Sequence, residues 1–78
     1  MGKKNQIYEF TIILAQLGDF EVVAELLAEH FNDSLFTQQH NQWRLYVDRE
    51  ASTITDAICS ALRKLEVLNI KYEKITIN

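Results

Sequence analysis

Asp48-Arg49-Glu50 is the densest charged constellation of the chain. Two carboxylates flanking an arginine can do acid–base work, with the arginine positioning a substrate. No nucleophile is specified beside them, so the triplet reads as local ion pairs supporting the turn into a following helix. His30 and His40 are the chain's two histidines. Neither has Cys-x-x-Cys, His-x-x-x-His or clustered carboxylate spacing around it, which argues against a structural zinc site. His30 falls near the end of a helical stretch, where a cationic or hydrogen-bonding side chain is common. His40 falls in a turn. Cys59 sits one position off an apolar helical stripe, with no base at helical spacing, and is expected to be a half-buried, inert thiol. Ser52, Thr53 and Thr55 suit helix capping better than catalysis. Two glycines and no glycine-rich loop leave nothing to cradle a phosphate. The expectation is a protein without enzymatic activity, cofactor or metal.

The elements that would hold these residues follow from periodicity. Ile54, Ala57, Ile58, Ala61, Leu62, Leu65 and Leu68 recur at helical spacing and form one apolar stripe over residues 53–68. Thr53 and Asp56 make a capping pair at its start, with Ser52 as an alternative cap, and Asn69 suits its exit. Phe20, Val23, Leu27 and Phe31, with Val22 and Leu26 beside them, predict a second helix near 19–31, introduced by Gly18-Asp19. Asp19, Glu21, Glu25 and Glu29 collect on that segment. They could meet a basic partner, but they read more simply as a solvated helix face. Residues 7–14 and 43–48 alternate as strands, residues 35–39 form a polar strand, and residues 70–77 form a last one. Asn32-Asp33-Ser34 is a turn, and His40-Asn41-Gln42 the turn of a hairpin.

Seventy-eight residues, nearly half of them hydrophobic, make one folded domain, 1–78, with residues 1–6 as a flexible polar lead-in. Eleven acidic residues outnumber eight basic ones, for a formal charge of −3, which suits nucleic acid poorly. A single cysteine excludes an intrachain disulfide, and no apolar run nears the ~20 residues of a membrane span. The polar start has neither the apolar stretch of a signal peptide nor Ser or Thr at position 6 after Gly2, so a myristoylation motif fails. A cytoplasmic protein without a membrane partner is expected.

The order β-α-β-β-α-β predicts an α+β, ferredoxin-like fold: a four-stranded antiparallel sheet with both helices on one face. Strands 7–14 and 43–48 should be central, and the polar 35–39 and lysine-bearing 70–77 should be edges. Leu62 and Ile58 are expected in the core. The other sheet face stays open. It could carry Tyr8, Phe10, Ile12 and Leu14 with Arg44 and Tyr46, or Ile7, Glu9, Thr11 and Ile13 with Trp43, Leu45 and Val47. Trp43, Leu45 and Val47 make the better core, and Glu9 belongs outside. Ile7, Ile13, Arg44 and Tyr46 are therefore the interface candidates, with a two-fold homodimer as the expected way to cover them. The alternative is single-stranded nucleic acid stacked on Tyr8, Phe10, Trp43, Tyr46 or Tyr72. The scarcity of basic residues argues against this for the domain alone.

Tyr8-Glu9-Phe10-Thr11, Asn32-Asp33-Ser34-Leu35, Asp48-Arg49-Glu50-Ala51-Ser52 and Ala57-Ile58-Cys59-Ser60-Ala61 carry a family resemblance. Together they resemble the N-terminal domain of small bacterial antitoxin-like, helix-turn-helix DNA-binding regulators. Those proteins have a Tyr-Glu-Phe-Thr strand, an Asp-Asp turn, and an Arg-Glu-Ala segment leading into an Ala-Ile-x-Ser-Ala helix. The likeness spans residues 8–66. The chain departs from it at Asn32 and Ser34, where the family tends to have Cys and Ala-flanked acids, and in its Gln-rich hairpin, where glycines are usual. It ends at Asn78, where the DNA-reading segment would begin, so DNA binding is not carried over. The resemblance implies a non-catalytic regulatory domain that dimerises or binds a protein partner, in a toxin–antitoxin, phage or defence setting.

Overall fold

β-Branched and aromatic residues from Ile7 onward build β1 (Gln6–Leu14), which pairs with strands on both of its edges. The structure, a computed structural model, describes residues 5–77. After β1 come α1 (Phe20–His30), β2 (Ser34–Gln39), β3 (Gln42–Ala51), α2 (Ile54–Val67) and β4 (Tyr72–Ile77). The sheet is antiparallel with order β2-β3-β1-β4. The two apolar strands are central and the two polar ones are edges, as their patterns predict. The fold is the ferredoxin-like one. Of the lead-in 1–6, residues 1–4 lie outside the described residues, and Gln6 opens β1.

Local chemistry explains each boundary. Asp19 caps α1 by accepting the Glu21 amide at 2.8 Å, and Gly18 takes the positive φ of 82° just before it. Thr53 caps α2 by accepting the Asp56 amide, while Ser52 donates to the Asp56 carboxylate. α2 ends in a Schellman motif. Asn69 adopts φ 59°, its amide donates to the Glu66 carbonyl, and the Ile70 amide donates to the Leu65 carbonyl. That exit uses Ile70, so β4 starts two residues later than the pattern at 70–77 suggests. The β2–β3 hairpin turns on two residues, His40 (φ 53°) and Asn41 (φ 60°), with Gln39 paired to Gln42. Two consecutive positive φ values make a type I′ turn, whose twist matches the flanking strands.

The core lies on one side of the sheet. Phe10, Ile12 and Leu14 of β1 stand opposite Val47, Leu45 and Trp43 of β3. Leu27 and Phe31 from α1, and Ala57, Ala61 and Leu65 from α2, close over them. Both helices therefore cover the same face. The cross-strand register corrects the two expected sets of side chains. Tyr8, Phe10, Ile12 and Leu14 share a face with Trp43, Leu45 and Val47, not with Arg44 and Tyr46. Phe20, Phe36 and Trp43 fill one end of this layer, with Phe20 stacked on Phe36 at 4.6 Å and both edge-on to Trp43.

Two further expectations are corrected. Leu62 and Ile58 pack against the core but are only half-buried. The line of α2 that meets the sheet is Ala57–Ala61–Leu65, and Leu62 stands at the margin of the stripe, over a cleft it shares with Ile70 and Tyr72. Cys59 is exposed rather than half-buried, because it lies across the helix from Ala57.

Candidate functional site

Asp48-Arg49-Glu50 does not form the expected local ion pairs. β3 runs on to Ala51 because it pairs with β1 along its whole length, from Leu14↔Trp43 to Gln6↔Ala51. Successive side chains of a strand point to opposite faces, so Arg49 goes to the helix side and Asp48 and Glu50 to the open side. There Arg49 makes a bidentate pair with Asp33, Nε to Oδ2 at 2.8 Å and Nη2 to Oδ1 at 3.0 Å. Its Nη1 donates to Ser60 Oγ at 3.1 Å, and Ser60 Oγ donates to the Ala57 carbonyl. The guanidinium and the Lys64 ammonium both lie against the Phe31 ring, at 5.3 and 5.5 Å. The hydrogen bonds from Arg49 hold the Asp33 carboxyl below the usual carboxylate range, against a smaller opposing push from burial. This cluster ties the α1–β2 turn, β3 and α2 together. Every group in it has a structural partner.

The open face is the candidate site. The pairings of β1 with β3 and β4, and of β2 with β3, set its residues in cross-strand rows. One row holds Thr37, Arg44, Ile13 and Lys74. The next holds Leu35, Tyr46, Thr11 and Thr76. Beyond it Asp48 faces Glu9, and beyond that Glu50 faces Ile7. The face is thus basic toward the hairpin end, neutral across Tyr46 and Thr11, and acidic toward the start of β1.

All the interface candidates, Ile7, Ile13, Arg44 and Tyr46, fall on this face. Their accessibility differs. Ile7 is 68% exposed, whereas Ile13 is only 3% exposed, shielded by Arg44 and Lys74 aligned on either side of it. Arg44 and Tyr46 are half-buried. Arg44 donates twice to the Gln42 side chain, and Tyr46 donates to that of Gln39. Arg44, Tyr46, Lys74, Thr76 and Gln42 ring a shallow cleft of about 190 Å³ over Thr11 and Ile13.

Sequence reasoning missed the Glu9–Asp48 apposition and the place of Lys74 beside Ile13. Both depend on the register of β1 against its neighbours, which no local motif carries. Among the described residues, Arg49–Asp33 is the one ion pair made by a Lys or Arg, so the open-face charges have no counter-ion there. No group of three or more His, Cys, Asp or Glu gathers as metal ligands among the described residues. No helix there is long and apolar enough to cross a membrane.

The aromatics are not arranged as a stacking platform. Phe10 and Trp43 are in the core, Tyr8 donates to the Ser52 carbonyl on the helix side, and Tyr72 pairs with Leu14 on that same side. Tyr46 is the single aromatic of the open face among the described residues. Comparison of the chain with protein-family models, with curated proteins and with solved structures gives no match.

Proposed function

We propose that this protein is a non-catalytic, cytoplasmic interaction module that self-associates through the open face of its sheet and serves a regulatory role. The observation that carries the reading is the open face itself. One side of the sheet is covered by both helices, while the other presents Ile7, Leu35 and Tyr46 among uncompensated charges. A sheet face of this kind suits a protein surface better than a small-molecule site, because its cleft is shallow and its charges are spread over three strands. It also suits protein better than nucleic acid. A single-strand platform needs several stacked aromatics and a basic track, and here one tyrosine lies between a basic and an acidic row. The resemblance to antitoxin-like regulators supports a regulatory setting of the toxin–antitoxin, phage or defence kind.

Amide chemical shifts followed on dilution test the reading. Resonances of Glu9, Thr11, Arg44 and Tyr46 are expected to move with concentration, while those of Ala57, Ala61 and Leu65 on the helix side stay fixed. Concentration-independent spectra, or shifts confined to the helices, would contradict it.

A further inference from the structure

We infer that the open face is electrostatically self-complementary and that its occupant is a second copy of this chain, docked face to face with its strands running antiparallel to the first. The inference rests on reading that face as a self-association surface, and goes further by assigning the partner and its register.

Glu9 and Asp48 stand directly opposite each other on neighbouring strands. Like charges in that position are unfavourable, and no cation among the described residues relieves them. On the far side of the Tyr46–Thr11 row, Arg44 and Lys74 flank Ile13 with no carboxylate between them. Acidic and basic rows are thus each one step from the same neutral row.

A two-fold axis along that neutral row, in the plane between two stacked sheets, exchanges the rows. It places each β3 over the other β3 and each β1 over the other β1, running in opposite directions. Arg44 then meets Asp48 of the second copy. Glu9 of the second copy comes over Ile13, between Arg44 and Lys74. Because the interface is isologous, each contact occurs twice. A two-fold along the strands would instead set basic row on basic row, so the charges select one orientation. Face-to-face sheets pack ~10 Å apart, a gap that side chains of Arg, Lys and Glu length can bridge. Tyr46 and Thr11, on the axis, meet their own counterparts.

The test uses two full-length variants, each checked for an unchanged circular-dichroism spectrum and melting transition. An acidic variant carries Arg44→Glu and Lys74→Glu. A basic variant carries Glu9→Lys and Asp48→Lys. Light scattering is measured on each alone, on their equimolar mixture, and on the wild type at low and high salt. Each variant alone is expected to dimerise at least about tenfold more weakly than the wild type, since every attractive contact becomes a like-charge one and each occurs twice. Their mixture is expected to restore the dimer. Wild-type association should weaken as the screening length falls from ~10 Å at 0.1 M to ~3 Å at 1 M salt. A dimeric wild type whose variants still dimerise alone would overturn this register while leaving self-association through another surface, such as the β2 edge. A monomeric wild type would overturn both.

Discussion

Asp33 and Arg49 are sixteen residues apart in sequence and form the one strong ion pair within the described residues. Because Arg49 bonds to the charged carboxylate, the folded-state pKa of Asp33 is depressed relative to the unfolded chain. The stabilisation is therefore fully present above the unfolded value of about 3.9 and is lost as pH falls through the folded one. Asp33→Asn is expected to remove this acid-side loss, so that its stability falls less steeply than the wild type's below about pH 4. Arg49→Ala is expected to cost about 1–2 kcal/mol at neutral pH, since the pair is bidentate but Asp33 is partly solvated. Urea denaturation across pH checks both. The pairing was not legible in the sequence. Asp48 and Glu50 are Arg49's neighbours along the chain, yet strand alternation sends them to the opposite face. The β2–β3 register, which pairs Ser34 with Val47 and lets the Asp48 amide donate to the Asp33 carbonyl, is what brings Asp33 alongside.

At the scale of elements, α2 approaches the sheet along Ala57, Ala61 and Leu65, all essentially fully buried. Leu65→Ala is expected to cost about 2–5 kcal/mol, a large share of a small domain's stability. Leu62→Ala, half-buried at the margin, should cost less, about 1–2 kcal/mol. Equal shifts of the two denaturation midpoints would mean that α2 is rotated from the orientation described. The stripe at 54–68 announces a helix but not its rotation, because seven apolar positions cover a wider face than the sheet contacts. The strands were more legible. Trp43, Leu45 and Val47 alternate cleanly, and so do the residues of β1. What alternation could not supply was the pairing of one strand's faces with the other's. That pairing is decided by which side chains fit beneath α1 and α2. The hairpin turn shows a similar limit: His40-Asn41 lacks the Asn-Gly signature yet takes the same type I′ geometry.

The whole molecule is a sheet with one covered face and one charge-patterned face. Burial removes Ile13 from the expected dimer surface. Ile13 is 3% exposed, so Ile13→Glu would bury a carboxylate and threaten the fold rather than report on association. Arg44, Lys74, Glu9 and Asp48 are the informative positions, because each side chain reaches solvent. Sedimentation equilibrium of the wild-type chain at low salt, over concentrations up to the high micromolar range, shows whether the open face is covered by a second copy. Face-to-face pairing gives a mass that rises to twice that of the monomer and falls back when salt is added. A mass that stays monomeric at the highest concentration would contradict it.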